Sequence, residues 1–255
     1  MLETIRHDAI VELRLARPPV NAFDTALSRQ LRLAIESAAK DARGVDISGR
    51  PGMFSGGLDV AAVLQLDQAG CLGELWHEYS SLCRALAASP IPVVAAITGH
   101  GPAGGAVLAT FCDYRVMARS ADPAKPYRIG LNEVQVGLSV PACIQFGLQR
   151  LVGAYRAERL MVAGAMLDSE AALRVGFVDE LADIDQVVPR ALAWLGDLLA
   201  LAPQAMLTTR RLARRDLAAV FADPSSWLLE DFSAAWFSTE TQDSLKALVA
   251  RLKKS

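Results

Sequence analysis

Histidine and cysteine are both scarce in this chain, and their scarcity closes off several chemistries. The three histidines, His7, His77 and His100, lie far apart, and the four cysteines, Cys71, Cys83, Cys112 and Cys143, show no C-x-x-C spacing. That pattern predicts neither a metal site nor a disulfide framework, and the thiols read as small buried hydrophobes of a reducing compartment. No run approaches the roughly 18 uninterrupted apolar residues of a membrane span. The opening MLETIRHDAI lacks the apolar stretch of a signal peptide. Charge of one sign is missing too: the formal balance is −2, so neither nucleic acid nor an anionic membrane surface is expected as a partner. The expectation is a cytoplasmic, metal-free protein.

What the chain does hold is apolar mass. Hydrophobic residues make up 52% of the 255, enough for a sizeable core in one large α/β unit. Residues 2–6 and 9–15 flank His7-Asp8 as a hairpin, with 10–15 largely in the strand period. Arg17-Pro18-Pro19 breaks the strand. Asp24 then reads as the N-cap of a helix with Leu27, Leu31, Ile35 and Ala38 on one face, closed by Gly44. Further strands are expected over 45–48, 93–98, 114–118 and 177–181, and helices over 58–66, 70–88, 141–151, 155–163 and 169–175. Residues 120–127, with Pro123 and Pro126, make a surface loop. Beyond Ile184 the pattern is helical, over 186–201, 203–220 and 226–253. No repeat or linker interrupts this order, which predicts an α/β fold with a C-terminal helical portion.

Glycine gathers at two points. In residues 92–113, PVVAAITGHGPAGGAVLATFCD, a short apolar strand runs into Gly99, Gly101, Gly104 and Gly105, and a helix follows over 106–111. A strand, a glycine turn and a helix start expose backbone N–H groups where the helix dipole adds positive charge, a device for a phosphate or an oxyanion. Residues 99–104 also spell G-x-G-x-x-G, the dinucleotide fingerprint. Its context argues otherwise: about ninety residues precede it, Asp113 falls before the next strand and Asp122 in the proline loop. The second point is Phe54-Ser55-Gly56-Gly57-Leu58-Asp59-Val60, which has the same strand, glycine turn and helix logic. Two such loops can aim two backbone donors at one atom, as an oxyanion hole requires.

In combination these motifs resemble the crotonase family, also called the enoyl-CoA hydratase/isomerase superfamily. The likeness runs from about Ile10 to the C-terminus, through RPPVNA at 17–22, FSGGLD at 54–59 and AAITGHGPAGGAVLATFCDYRVMA at 95–118. PAGG, CDYR, IGLNE at 129–133, Ala157-Glu158-Arg159, EAAL at 170–173 and VGFVD at 175–179 are most similar to the mitochondrial-type Δ3,Δ2-enoyl-CoA isomerases. The resemblance implies a crotonase-like core of ββα repeats over 1–200 and a C-terminal helical region over 201–255 that packs on the core and on an oligomer interface. A homotrimer or dimer of trimers is implied with it, as is an acyl-CoA thioester substrate, coenzyme A being part of that substrate and no separate cofactor.

The same resemblance assigns residues. It gives the two oxyanion amides to Leu58 and Gly104. Of the two glutamates of family hydratases, the first position is Val107, which moves no proton, and the second is Glu133. Gly56, Gly57, Asp59, Val60, Pro102, Asn132 and Arg17 complete the implied substrate-binding set. A lysine common near the CoA phosphates is replaced by Ala61, leaving Arg17, Lys125 and Lys253-Lys254 as candidate cations. His100 reads as a packed turn residue, and Trp227, Phe232, Trp236 and Phe237 as core plus interface. One carboxylate suits a proton shuttle better than water addition, so the expectation is an isomerase that moves an acyl-CoA double bond from position 3 to position 2. A hydratase, a non-catalytic binding member and a nicotinamide oxidoreductase are the alternatives.

Overall fold

The computed structural model describes residues 1–66, 71–223 and 229–252. Its centre is a six-stranded sheet built from β1 (Leu2–His7), β2 (Ile10–Leu15), β3 (Gly44–Ser48), β5 (Val93–Ile97), β7 (Tyr114–Ala118) and β10 (Glu180–Ala182), hydrogen-bonded in that order. β1 and β2 form the expected antiparallel hairpin, with Leu2 opposite Leu15, and the other pairings are parallel. Every residue of β5 is buried, because both faces of the sheet are covered. Val93, Ala95 and Ile97 meet the main core, while Val94 and Ala96 meet α8 (Val187–Leu199) through Val187, Ala191 and Leu195.

α1 (Thr25–Asp41) starts where its cap predicts, with Asp24 Oδ1 accepting from the Leu27 N–H at 2.7 Å. Its end differs from the sequence reading. The chain turns extended at Ala42, and Gly44 opens β3 instead of closing the helix. Glycine there serves packing, since a Cβ would press to 3.2 Å from the Leu195 side chain on α8.

A second, four-stranded sheet corrects the reading of the glycine stretch. β4 (Gly52–Met53), β6 (Gly99–Pro102), β8 (Arg128–Gly130) and β9 (Leu167–Asp168) are paired in that order. Residues 99–102 are therefore a strand and not a turn. A Cβ on Gly99 would lie 2.0 Å from the Gly52 backbone, so glycine here permits two strands to approach closely. Similarly, Phe177 and Val178 are buried without laddering, and the last strand of the main sheet is Glu180–Ala182.

The remaining helices surround these sheets: α2 (Val60–Val63), α3 (Cys71–Ala87), α4 (Gly104–Thr110), α5 (Ala142–Val152), α6 (Ala154–Val162) and α7 (Ser169–Val175). The expected long tail helices are each two: α9 (Pro203–Ala213) and α10 (Arg215–Ala219), then α11 (Leu229–Trp236) and α12 (Thr239–Leu252). The last pair folds back over its own chain. Phe232 stacks on Trp76 of α3 with ring centroids 4.0 Å apart, and Trp236 and Leu245 are fully enclosed. The core half of the reading for the aromatic tail is thus met at Phe232 and Trp236; Trp227, like Lys253 and Lys254, lies outside the described residues.

Candidate active site

The FSGGLD loop is held by the segment before α1. Ser55 Oγ donates to the Asn21 carbonyl at 2.8 Å, Asn21 Nδ2 to the Phe54 carbonyl at 3.1 Å, and the Gly56 N–H to the Val20 carbonyl at 2.7 Å. Phe23 then brackets Leu58: its N–H bonds the Gly57 carbonyl at 2.7 Å and its carbonyl takes the Asp59 N–H at 2.9 Å. In such a parallel bridge the N–H of the bracketed residue points away from its partner. The Leu58 N–H accordingly finds no acceptor among the described residues.

Arg17 and Asp59 belong to this scaffold. The Arg17 guanidinium lies 2.6 Å from Asp59 Oδ2 and 3.1 Å from Asp24 Oδ2, and donates to the Ala22 carbonyl at 2.9 Å. Asp59 Oδ1 also caps α2 by accepting from the Ala62 N–H at 3.0 Å. Neither residue lines the cavity described below. Arg17 therefore acts as a clamp on the loop, and its charge is spent on two carboxylates instead of being offered to a phosphate. Lys125 stands exposed in the proline loop, away from the cavity.

The second loop meets the first at glycine. Gly57 has φ +86°, and a Cβ there would sit 3.2 Å from the Gly104 nitrogen; a Cβ on Gly104 would sit 3.2 Å from the Gly57 Cα. The two backbones touch, which only glycine allows. Just before Gly104, Ala103 is held at φ 44°, ψ −115°, a strained conformation for a residue with a Cβ, and its N–H is fixed to the Gly130 carbonyl at 2.8 Å. The Gly104 N–H opens α4 and, like that of Leu58, has no acceptor among the described residues.

Leu58 and Gly104 both face a cavity of about 280 Å³. The structure brings Gly56, Val60, Pro102, Val107, Asn132 and Glu133 to the same walls. Gly57 reaches the site through its contact with Gly104. Glu133 opens a short 3-10 turn, Glu133–Val136. The residue is only half-buried, yet its Oε2 is shut from solvent and has no hydrogen-bond partner. Burial pushes its carboxyl up from about 4.5 to about 7. Leu138, Ile144 and Val107, all nearly fully buried, make that environment apolar. This is not the setting of a solvated surface carboxylate.

Sequence reasoning missed the far wall. Trp76 and Tyr79 from α3, with Leu248 from α12, line the cavity beside Phe232 and Trp236. The spacing of Trp76 and Tyr79 on the apolar face of α3 was the available signal, but it reads the same for plain core. His100 behaves as expected of a packed residue: Nδ1 accepts from the Arg128 N–H at 3.2 Å, and the ring meets Tyr127 edge-on at 5.3 Å. Burial, then Arg128, push its pKa down. Cys83, Cys112 and Cys143 are buried free thiols, and burial pushes the last two up to about 12.

Known proteins are similar to this chain in sequence and fold. The family described as enoyl-CoA hydratase/isomerase matches residues 6–253. Human mitochondrial enoyl-CoA delta isomerase 1 is 31% identical over 248 residues, 96% of this chain and 80% of the relative. A probable enoyl-CoA hydratase of Mycobacterium tuberculosis is 31% identical over 260 residues, covering 100% of this chain and 97% of its own. The crystal structure of human mitochondrial Δ3-Δ2-enoyl-CoA isomerase superposes with TM-score 0.91 at 29% identity, covering 99% of this chain and 98% of that one. With its crotonase fold and the sequence match over almost its whole length, this chain belongs to the enoyl-CoA hydratase/isomerase family of enzymes.

Proposed function

We propose that this enzyme shifts the double bond of a 3-enoyl-CoA to position 2, with Glu133 as the sole proton carrier. The carrying observation is a carboxyl whose enclosed Oε2 has no partner, beside two unpaired backbone donors in an otherwise apolar cavity. The Leu58 and Gly104 N–H groups meet the thioester oxygen as it gains charge, an arrangement in which each donor is typically worth about 2.7–4 kcal/mol. Glu133 takes a proton from C2 and returns it to C4. A carboxyl that titrates near 7 suits both halves of that task at neutral pH. The apolar walls keep the carried proton from exchanging with water.

Val107 supports isomerisation over hydration. It occupies the position of the first hydratase glutamate and is 1% exposed, so no second carboxylate is there to activate water. The hydratase names among the relatives make water addition the competing reading. In this reading the acyl-CoA is the substrate, no separate cofactor is needed, the assembly is a homotrimer or dimer of trimers, and the setting is cytoplasmic.

Incubation with cis- and trans-3-enoyl-CoAs tests the reading through formation of the conjugated 2-enoyl thioester. Glu133→Gln is expected to lower that turnover by about 10³-fold while acyl-CoA binding stays intact. Substantial residual isomerase activity in the variant, or production of 3-hydroxyacyl-CoA from a 2-enoyl-CoA by the wild type, overturns it.

A further inference from the structure

We propose that Tyr79 is a positioning residue for this reaction: its hydroxyl locks the Gly104 peptide so that the Gly104 N–H stays aimed at the thioester oxygen. The proposal rests on the reading of the cavity given above.

Glycine cannot hold itself. Lacking a Cβ, Gly104 has wide freedom in both backbone dihedrals, and the direction of its N–H must be imposed from outside. On the preceding side the imposition is visible in the Ala103 N–H bond to Gly130 and in the strained Ala103 backbone. On the following side it comes from α3. The Tyr79 O–H donates to the Gly104 carbonyl at 2.6 Å, toward the short end of the range for an O–H···O hydrogen bond. The peptide plane that carries the Gly104 N–H is held at its own oxygen, since the Ala103 carbonyl accepts from the Val107 N–H at 2.9 Å, and the Tyr79 bond fixes the peptide that follows it.

The same side chain reaches the other donor's support. Its ring meets Phe23 edge-on, with centroids 5.6 Å apart, and Phe23 is the residue whose backbone brackets Leu58. One tyrosine thus braces both loops that supply the oxyanion donors. Its hydroxyl also fills the space against Gly104, since a Cβ there would lie 2.9 Å from the phenolic oxygen. Tyr79 is 2% exposed and lines the cavity near Glu133, whose charge acts on the phenol. Burial, the largest cause, then the neighbouring Cys83 and Glu133 push the phenol up, so it stays protonated and remains a donor throughout the working pH range.

Tyr79→Phe keeps the ring and removes only the donor. The expected result is a kcat for 3-enoyl-CoA lowered by about threefold to tenfold with KM nearly unchanged, the size of one neutral hydrogen bond. A second readout uses acetoacetyl-CoA, whose enolate absorbs in the near ultraviolet and forms more readily where an oxyanion is stabilised. Bound to Tyr79→Phe, it is expected to ionise at higher pH than when bound to the wild type. Unchanged kcat and an unchanged enolate signal overturn the proposal. So does a loss of kcat that appears only together with lost acyl-CoA binding and a lowered melting temperature, which would make the hydroxyl a packing group. If the wild type itself neither turns over 3-enoyl-CoA nor binds acetoacetyl-CoA as the enolate, it is the underlying isomerase reading that fails.

Discussion

The two ends of α4 face opposite kinds of cavity. At its N-terminal end lies the apolar pocket, with Oε2 of Glu133 left without a partner. At its C-terminal end lies a cleft of about 320 Å³ lined by Arg115, Arg150, Arg210, Arg214 and Asp113. Charge alone would single out this arginine-lined cleft as the functional one. Yet Arg210 grips Asp113 with Nε and Nη2 at 2.8 and 2.7 Å, Arg115 meets Asp179 at 2.7 Å, and Arg150 meets Asp216 at 3.1 Å. Arg214 approaches Asp113 at 3.3 Å and donates to the Phe111 carbonyl at 2.7 Å, while Arg115 donates to the Cys112 carbonyl at 3.0 Å. These cations satisfy the carbonyls at and just beyond the end of α4 and complement its dipole. Paired charge builds the scaffold at one end, and at the other a buried carboxyl oxygen of Glu133 is left without a partner.

The contrast is sharpened first where it predicts the largest effect on stability. Asp113→Asn leaves Arg210 and Arg214, both largely buried, without their shared carboxylate. Loss of one partner from a buried ion pair costs about 3–5 kcal/mol, so urea denaturation is expected to show a large fall in midpoint. Activity per folded molecule is expected to persist. A variant that is stable but inactive would make the arginine cleft part of the active site and erase the distinction.

At the other end, removing a charge is expected to stabilise. Below about pH 4.5 Glu133 holds its proton in both the folded and unfolded chain; between there and about 7 only the folded form keeps it. Stability contributed by the protonated group is therefore lost as pH rises to about 7, an effect on the order of 3 kcal/mol for a shift of this size. Glu133→Gln has no such loss. Its melting temperature is expected to exceed that of the wild type at pH 8 and to converge with it at pH 4. Equal curves at both pH values would mean that the carboxyl is solvated.

The smallest effect concerns the backbone between the loops. Ala103→Gly relieves the strain at φ 44° and is expected to gain about 1 kcal/mol in thermal unfolding. The glycine also loosens the lock on Gly104, so kcat is expected to fall modestly. A destabilised variant would show that the conformation carries no strain.

Local signals in the sequence were the legible ones. The Asp24 cap, the alternation of β2 and the buried run of β5 are set by neighbours within a turn or a strand, and each is found where the pattern places it. Residues 99–102 were misread because glycine spells a turn to its neighbours, while its pairing with Gly52 is visible only across the fold. The division of the tail between α11 and α12 carries a cap, the Thr241 N–H donating to Ser238 Oγ at 3.2 Å, but no proline or glycine announces it. At the site, family likeness placed Leu58, Gly104 and Glu133, which the structure gathers at one cavity. It could not say that Arg17 is spent on Asp24 and Asp59, because a sequence records cations and not the partners that neutralise them.

The fold-back of α11 and α12 also sets the order in which the pocket matures. Phe232, Trp236, Leu245 and Leu248 complete its walls, and Thr241 Oγ1 ties α12 to the turn after Glu133 by donating to the Gly137 carbonyl at 2.8 Å. A ribosome delivers these residues last, after both oxyanion loops and Glu133 have emerged. Without that cover Glu133 would be open to water, and the burial that raises its pKa would be reduced. The raised basicity of this carboxyl is in that sense conferred by the end of the chain, whose side chains close the walls around it.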